Sequence, residues 1–388
     1  MSSATREHGY MPQLDALRFF AVMGVIVVHN WQPSPHTLIV GQVDWGELGV
    51  RLFFVLSGFL ITGILIGGRE LGERAPARRR LFFIRQFYIR RFLRIFPIYY
   101  AVLIALVLAG VGGIRQIWPW LFSYTTNIYV WHYLEFPYAV SHFWTLAVEE
   151  QFYLVWPLAM LFLPRRWLVP FLVSLCCLGP AWRLYASFHY SPNNWNTAFT
   201  FTLGVVDFLA IGAVLALAAH ADRSKENLQR VLTLVVLPIG AVVYVTLFWV
   251  NRSVDHHVPL ALEDTGAALV FCWLIGSASR GFAGPFGRLL EWRPIVYLGK
   301  ISYGIYIFHL LVPLAFERAA EHLGVAYENS GFLNFITTSL VTFGVAALSW
   351  EVFESPINGL KRHFRYERAT DVLPHGPVVT PPTQAISP

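Results

Sequence analysis

The sequence predicts an all-α membrane protein, a polytopic helix bundle of about ten transmembrane helices with both termini in the cytoplasm. Three observations predict this fold class. The 388 residues are 56% hydrophobic and only 13% charged, whereas soluble domains contain about 25% charged residues. Apolar stretches long enough to cross a bilayer follow one another along most of the chain. Arginine and lysine gather in alternate connections between those stretches.

The apolar stretches are the predicted spans, and each can cross the ~30 Å hydrocarbon core as a helix, some of them when tilted. They lack the alternation of apolar and polar residues that membrane strands show and are about twice as long, so strands are a poor alternative. The predicted spans are residues 14–31, 48–67, 95–112, 143–163, 167–188, 201–219, 231–250, 260–279, 296–316 and 333–353.

Basic residues predict the orientation of the bundle. Nine arginines lie between residues 69 and 94, and further basic clusters occur at 165–166, 223–230, 280–300 and 361–368, all in alternate connections. Because cytoplasmic connections carry an excess of Lys and Arg, both termini are expected in the cytoplasm. The net charge of +6 follows from this bias, and we do not interpret it as a sign of nucleic-acid binding.

The chain divides into three parts. Residues 1–10 form a short cytoplasmic segment, residues 11–360 the transmembrane domain, and residues 361–388 a basic and then proline-containing tail that is expected to be disordered. Cys176, Cys177 and Cys272 lie inside apolar runs without metal-ligand spacing, so no metal site and no bound cofactor is predicted. Motifs for nucleotide hydrolysis, zinc hydrolysis and a nucleophile elbow are absent from the sequence.

The first predicted span contains two ionisable residues, which are costly in a membrane and often functional. Arg18 and His29 are eleven residues apart, or three turns plus about 20°, so they share one stripe of a helix about 16 Å apart along its axis. An arginine suits an anionic ligand such as a phosphate, and a neutral histidine suits a general base. Asp15 can pair with Arg18 at i, i+3. Alternatively, Arg18 extends to the inner surface and His29 is an interfacial histidine.

Polar residues of the next two spans allow two interpretations each. Arg51 can form an i, i+4 ion pair with Glu47. Ser57, next to Gly58, permits a close helix approach. Arg91 and Arg94 enter the third span, where they can anchor the helix in the cytoplasm or bind phosphates.

The fourth span contains the adjacent carboxylates Glu149 and Glu150, shortly after Trp144. Adjacent helical positions point about 100° apart, so only one of the two is expected to face the bundle interior. That carboxylate can orient an imidazole, as the third member of a triad does; alternatively, both lie on the outer surface. Asp207 in the sixth span and His309 in the ninth complete this polar set, and both can instead be structural partners.

Five motifs in this chain occur in the order typical of one known family. They are Arg18-x10-His29, Phe53-Phe-Val-Leu-Ser57-Gly-Phe59, Arg91-Phe-Leu-Arg94-Ile-Phe-Pro97, Trp144-Thr-Leu-Ala-Val-Glu149-Glu150-Gln-Phe-Tyr153 and Ile301-Ser-Tyr303 followed by His309. With these motifs at matching topological positions, residues 11–360 resemble the membrane acyltransferases of the acyltransferase-3 family, of the O-antigen O-acetylase type.

The resemblance implies transfer of an acyl group, often acetyl, from acyl-CoA as co-substrate to a hydroxyl of a sugar, lipid-linked glycan or related acceptor at the bacterial inner membrane. The family's Arg-x10-His motif maps onto Arg18 and His29, and its glutamate maps onto Glu149, so His29 and Glu149 are the predicted catalytic residues. Asp15, Glu150 and Asp207 are predicted to support them. The substrate-binding candidates are Arg18, Arg51, Arg91, Arg94, Ser57, Trp144, Tyr303 and His309.

Two features depart from the family. Asp207 lacks the arginine that often stands a few residues before it, and the SGNH hydrolase-like domain that some relatives carry after the membrane domain is not in this chain.

The mechanistic hypothesis places the acyl-CoA phosphates at Arg18 and the basic segment 69–94. His29, oriented by Glu149, then deprotonates the acceptor hydroxyl or carries the acyl group itself. The rival hypothesis is a transporter or flippase that moves a glycan or lipid without chemistry, because intramembrane Arg, His and Glu also serve proton relays. The acceptor, the acyl chain length and the oligomeric state are not determined by the sequence.

Overall fold

The computed structural model describes residues 10–31, 43–73, 77–190, 199–222, 226–253, 258–327 and 331–366. These residues form helices and connections without a β-strand, which confirms the all-α prediction. Of the predicted N-terminal segment only Tyr10 is described, and of the predicted tail only residues 361–366. The start of that tail forms a 3₁₀ turn, Leu360–His363, and the predicted disorder of residues 367–388 falls outside the described part.

Seventeen α-helices and four short turns of 3₁₀- or π-helix follow one another in the described residues. The α-helices are α1 (Pro12–Asn30), α2 (Trp45–Glu73), α3 (Ala77–Leu108), α4 (Ile114–Phe122), α5 (Thr126–Tyr133), α6 (Phe143–Phe162), α7 (Arg165–His189), α8 (Thr202–Ala221), α9 (Asn227–Val231), α10 (Leu237–Ser253), α11 (Val258–Arg280), α12 (Gly284–Leu290), α13 (Arg293–Lys300), α14 (Ser302–Phe308), α15 (Leu311–Leu323), α16 (Phe332–Ser349) and α17 (Ser355–Gly359).

Seven helical segments of the described chain are long and apolar enough to cross a membrane, or up to nine if each of two bent helix pairs forms one span. Helix α6 is not among them. Its Glu149, Glu150 and Gln151 lower its hydropathy, although its 20 residues extend about 30 Å. The predicted total of ten spans and the predicted orientation stay predictions.

The predicted ninth span, 296–316, is not one straight helix. The chain bends by 61° between Arg293–Lys300 and Ser302–Leu323. On the near side of this bend, Gly299 lies so close to α1 that a Cβ there would overlap the carbonyl group of Asp15. Helix α13 therefore packs closely against the start of α1, and the bend brings the Ser302–His309 segment into the bundle.

Glycines allow the central helices to approach each other closely. A Cβ at Gly58 of α2 would overlap the carbonyl of Leu209 in α8, and a Cβ at Gly212 of α8 would overlap the carbonyl of Val55. Small residues at such contacts let membrane helices pack backbone against backbone. Helices α1, α3 and α6 also pack against α2, so α2 lies at the centre of the arrangement that forms the polar cavities.

Candidate functional site

A cation-rich cavity, here called the basic cavity, lies beside the first turns of α1. Its ionisable lining residues are Asp15, Arg18, Arg90, Arg91, Arg94, Lys300 and Lys361. The one carboxylate among them, Asp15, accepts hydrogen bonds from Tyr10 Oη (2.9 Å) and from Arg18 Nη1 (2.5 Å), so the predicted Asp15–Arg18 ion pair is confirmed. Six cations facing one engaged carboxylate suit a polyanion such as a phosphorylated ligand.

A second cavity, the central cavity, adjoins the basic cavity, because Arg18, Arg91 and Arg94 line both. Its volume is about 90 Å³. In the described residues no carboxylate lies within ion-pair distance of Arg91 or Arg94. The other polar residues of its lining are Ser57, Thr145, Glu149, Glu150, Tyr153, Ser302, Tyr303 and Tyr306.

A hydrogen-bonded chain of three side chains crosses the central cavity. Tyr153 Oη donates to Ser57 Oγ at 3.0 Å, and Ser57 Oγ donates to Glu149 Oε1 at 2.6 Å. The guanidinium of Arg91 lies over the Tyr153 ring, 5.5 Å from its centroid, as a cation–π contact. Of the two adjacent carboxylates, Glu149 is therefore held by a long-range contact to α2, and both face the cavity.

A third cavity, the histidine cavity, is larger, with a volume of about 400 Å³. Val50, Phe54 and Tyr306 line both it and the central cavity, so these three side chains form the partition between the two. Its polar and ionisable lining residues are His29, Asp44, Glu47, Arg51, Ser141, His142, Trp144, Arg183, Thr200 and Asp264.

The two residues of the predicted stripe on α1 face different cavities of this series. Arg18 lines the basic and central cavities, and His29 lines the histidine cavity. Neither is turned toward lipid alone. Nδ1 of His29 lies 2.9 Å from the carbonyl oxygen of Val25. Since a carbonyl only accepts, Nδ1 carries the hydrogen, and Nε2 keeps the lone pair that a base needs.

The structure does not bring Glu149 to His29. Glu149 is bonded to Ser57 in the central cavity, whereas His29 lies beyond the partition. The start of α6 is what reaches the histidine cavity, through His142 and Trp144. Glu149 comes seven residues after His142. At 1.5 Å per residue, this places Glu149 about 10 Å further along the axis of α6, too far from the start of the helix to reach His29.

An ion-pair network, buried except for Glu47, forms one wall of the histidine cavity. Arg51 pairs with Glu47, at the predicted spacing, and with Asp264 at 2.6 Å. Arg183 of α7 donates two hydrogen bonds of 2.8 Å to the carboxylate of Asp207. The arginine partner of Asp207 therefore comes from the preceding helix rather than from a few residues before it.

Residues 11–351 match the acyltransferase-3 family, which is described as an acyltransferase domain. The chain belongs to the acyltransferase-3 family. The match covers the central and histidine cavities and all of the basic cavity except Tyr10, Lys361 and Tyr366. It confirms the resemblance that the sequence motifs indicated. No solved structure matches the chain.

Curated relatives of this family member include proteins from three bacteria. The chain is 29% identical over 387 residues to the putative peptidoglycan O-acetyltransferase YrhL of Bacillus subtilis, covering 92% of this chain and 56% of the relative. It is 25% identical over 375 residues to the O-acetyltransferase OatA of Staphylococcus aureus, covering 90% and 57%. It is 26% identical over 383 residues to the peptidoglycan O-acetyltransferase OatA of Listeria monocytogenes, covering 92% and 57%. The chain thus spans just over half the length of these relatives.

The sequence interpretation missed three residues of the site. Arg183 and Asp264 lie inside the predicted spans 167–188 and 260–279, and an ionisable residue within an apolar span is itself a signal of a buried site. His142 stands one residue before the predicted fourth span, at the end of the connection, and its contact with the site has no periodic signal. The remaining predicted residues lie where the cavities are, with Tyr303 in the central cavity and His309 buried behind the histidine cavity.

A side groove opens from the central cavity between α3 and α6. It shares Arg91, Glu150 and Tyr153 with that cavity, and its volume is about 550 Å³. Its other walls are mostly aromatic and aliphatic, namely Tyr88, Ile89, Phe92, Phe96, Tyr100, Phe122, Tyr124 and Leu154, with the polar residues Ser123 and Gln151. Phe92 and Leu154 are exposed apolar side chains of this groove.

Proposed function

We propose that this protein is a membrane O-acyltransferase that moves an acetyl group from an acyl-CoA thioester to a hydroxyl group of a glycan, with peptidoglycan as the first acceptor to test. The observation that carries the proposal is the order of the three cavities, each of which shares lining residues with the next. They follow one another from six cations, through a small polar cavity, to a third cavity that His29 lines, with Val50, Phe54 and Tyr306 between the second and the third.

The basic cavity binds the donor in this proposal. Phosphates of CoA are polyanions, and arginine binds phosphate oxygens with two parallel hydrogen bonds. Arg91 and Arg94, which have no carboxylate partner in the described residues, are available for such contacts, and Arg18 is pre-oriented by Asp15. The narrow chain of the donor then extends past these arginines into the central cavity. In this proposal the side chains of Val50, Phe54 and Tyr306, which separate the two cavities, move apart so that the thioester reaches the acceptor hydroxyl at His29.

His29 serves as the general base. Its Nε2 takes the proton of the acceptor hydroxyl while the hydroxyl oxygen attacks the thioester carbonyl carbon. The carbon–sulfur bond breaks, and the leaving thiolate takes the proton back from the imidazolium, so an O-acetyl ester and free CoA thiol result. General base assistance of this kind contributes about 10²–10⁴ in rate. The Val25 carbonyl, rather than a carboxylate, fixes the tautomer of this base.

Glu149 acts in the central cavity as a positioning residue. Through its 2.6 Å hydrogen bond with Ser57 and the Tyr153 hydroxyl behind it, it holds a polar wall along the passage that the thioester takes. The negative charge of Glu149 also lies near the otherwise unpaired arginines. Its action on the reaction therefore passes through the shape and charge of the donor passage.

The bacterial inner membrane is the proposed location. In this proposal the basic cavity lies on the cytoplasmic side, because Lys and Arg are in excess on that side of membrane proteins and because the proposed CoA thioester donor is a cytoplasmic metabolite. The histidine cavity then faces the opposite side, where cell-wall glycans lie. The three cavities would thus carry an acetyl group from a cytoplasmic donor to a glycan on the opposite side of the membrane.

Transfer of radiolabel from acetyl-CoA by the purified protein tests the proposal. The protein in lipid nanodiscs is mixed with acetyl-labelled CoA and soluble peptidoglycan fragments, and we expect label on the glycan as an alkali-labile ester. The rival transporter hypothesis predicts no label, together with glycan movement across proteoliposomes. Membership of an acyltransferase family favours the first outcome, and correctly folded protein that leaves the glycan unlabelled would contradict it.

A further inference from the structure

Two buried histidines beside His29 each have a ring nitrogen that has no hydrogen-bond partner among the described residues. The atoms are Nδ1 of His142 and Nε2 of His309, and the two side chains are 3% and 0% exposed. The His309 ring contacts both of the other imidazoles, with centroid distances of 4.6 Å to His142 and 5.1 Å to His29. Three imidazoles from three different helical regions therefore meet at one point.

The protonation of these rings follows from their backbone partners. His309 Nδ1 lies 2.6 Å from the carbonyl oxygen of Tyr306, and His142 Nε2 lies 3.3 Å from that of Ile307. A carbonyl oxygen accepts and never donates, so each of these nitrogens carries the hydrogen. The two partnerless nitrogens are consequently lone-pair acceptors, as is Nε2 of His29.

Neighbouring hydroxyls do not supply the missing donors. Tyr306 Oη donates to the His142 carbonyl oxygen at 3.1 Å, and Thr145 Oγ1 lies 3.0 Å from that same oxygen and 2.6 Å from Tyr306 Oη. Both hydroxyls are thus engaged with each other and with the backbone. Buried acceptors are almost always satisfied in working proteins, so a donor from outside the chain is expected at this point.

We propose that His142 and His309 are positioning residues that accept hydrogen bonds from the acceptor substrate, next to the hydroxyl that His29 deprotonates. This inference rests on the proposed function and specifies its acceptor side. Neutral imidazole acceptors recognise neutral donor groups, and a sugar with several adjacent hydroxyl or amide N–H groups offers them together. His142 lines the histidine cavity, so the acceptor meets this cluster at the cavity wall.

Substitutions by asparagine and glutamine distinguish the two nitrogens of a histidine ring. The asparagine amide lies where Nδ1 was and the glutamine amide lies where Nε2 was, so the two variants of each histidine form a matched pair. In His309→Gln the amide oxygen replaces the partnerless Nε2, whereas in His309→Asn the amide replaces only Nδ1 and its bond to Tyr306. We expect the Gln variant to keep the acceptor KM within about threefold. The Asn variant should raise that KM about tenfold, the loss of one hydrogen bond, with the KM for acetyl-CoA unchanged in both.

His142 gives the opposite order, because there the partnerless atom is Nδ1. His142→Asn keeps an acceptor at that position and should keep the acceptor KM within about threefold. His142→Gln keeps only the group that faces Ile307 and should raise the acceptor KM. A purely structural role predicts the reverse order of acceptor KM values at both positions, and that result overturns the proposal. Wild-type KM values in all four variants also overturn it, because they would mean that the two nitrogens bind only an ordered water.

A measurement on the unaltered protein covers the case in which variants do not fold. The 15N chemical shift of an imidazole nitrogen reports whether its lone pair accepts a hydrogen bond. In NMR spectra of histidine-labelled protein, saturating peptidoglycan fragments should shift the Nδ1 resonance of His142 and leave that of exposed His189 unchanged, and identical His142 resonances with and without glycan contradict the inference. Absence of label transfer by the wild type would instead refute the proposed function, so the two failures are distinguishable.

Discussion

At the scale of single residues, Arg94 and Arg91 connect the basic cavity to the central cavity. Both lie on the third-helix motif, and Arg94 faces both cavities without a carboxylate partner in the described residues. If it binds the donor, its loss removes charge-assisted hydrogen bonds that contribute about 1.5–3 kcal/mol. The donor affinity, rather than the chemical step, should then change.

Arg94→Ala is therefore expected to raise the KM for acetyl-CoA by about tenfold or more, with a smaller change in kcat. Steady-state label transfer at varied acetyl-CoA measures this. Arg85→Ala is the matched control, because Arg85 lies on the same helix but is exposed and lines none of the described cavities. An equal rise in the KM for acetyl-CoA in both variants would show that the substitutions disturb helix α3 as a whole rather than the donor site.

The buried pair Arg183–Asp207 supports a second prediction at this scale. Its side chains are 1% and 0% exposed, and removal of one partner of such a pair leaves an uncompensated charge that costs about 3–5 kcal/mol. Arg183→Met should lower the free energy of unfolding by an amount in this range, while Arg183→Met with Asp207→Leu should recover much of it. Denaturant unfolding in detergent micelles measures both.

Arg165→Ala is the control for this prediction, since Arg165 pairs with Glu73 at a side-chain exposure of 69% and surface pairs contribute little. A double variant that is no more stable than Arg183→Met alone would show that Arg183 stabilises the bundle through other contacts, such as its 2.6 Å bond to the Gly204 carbonyl.

The residues of one helix were predictable from sequence, and residues that meet across helices were not. The spacing of Arg18 and His29 places them on one stripe because the α-helical period is fixed, and Asp15–Arg18 and Glu47–Arg51 pair at the spacing expected. The contact of Glu149 with Ser57 joins residues 92 positions apart. Helical periodicity gives no information on contacts between different helices. The sequence therefore predicts Glu149 beside His29, whereas the structure places it against Ser57.

At the scale of the elements, the approach of α2 to α8 determines where the cavities lie. Gly58 faces the Leu209 carbonyl, whereas Gly63, one and a half turns further along the same helix, has no neighbouring atom within 4 Å. The two glycines therefore have different physical roles on one helix. Ser57 and Gly58 were expected to permit a close helix approach, and Gly58 does so.

Gly58→Ala is expected to destabilise the protein by about 1–3 kcal/mol, because the added methyl group overlaps backbone that cannot move without separating the helices. Gly63→Ala should leave the stability unchanged or raise it by up to about 1 kcal/mol, since alanine favours a helix over glycine. Thermal unfolding of the two variants in the same detergent gives the comparison. Equal melting temperatures would contradict the close α2–α8 contact.

Elements with a long apolar run were predicted well, and breaks within them were not. The predicted stretch 296–316 is apolar throughout its length, so its hydropathy gives no sign of the 61° bend that the structure shows. The bend results from tertiary packing, with Gly299 against the Asp15 carbonyl. It matters for the site because it directs Tyr303 and Tyr306 into the central cavity and His309 toward His142.

At the scale of the whole molecule, the account requires the basic cavity and the aromatic connection 113–142 to lie on opposite sides of the membrane. The charge bias predicts the cytoplasmic side for the basic clusters. The exposed positions Gln116 and Arg166 lie in connections that the prediction assigns to opposite sides.

Single cysteines at these positions, introduced as Gln116→Cys and Arg166→Cys after the three native cysteines are replaced, report the orientation. A membrane-impermeant maleimide applied to intact cells should label position 116 only. Position 166 should become labelled once the inner membrane is permeabilised. Labelling of position 166 alone in intact cells would reverse the orientation and place the cations on the wrong side for a cytoplasmic donor.

The central claim is that a cation-lined donor passage ends at His29, which activates the acceptor alcohol. Its most direct test compares label transfer from acetyl-CoA to glycan by His29→Ala and by His189→Ala in nanodiscs. His189 makes the same kind of bond, from Nδ1 to the carbonyl four residues earlier at 2.9 Å, but lines none of the described cavities. We expect His29→Ala to lower kcat by about 10²–10⁴ and His189→Ala to transfer at the wild-type rate. Near-normal turnover by His29→Ala would contradict the account.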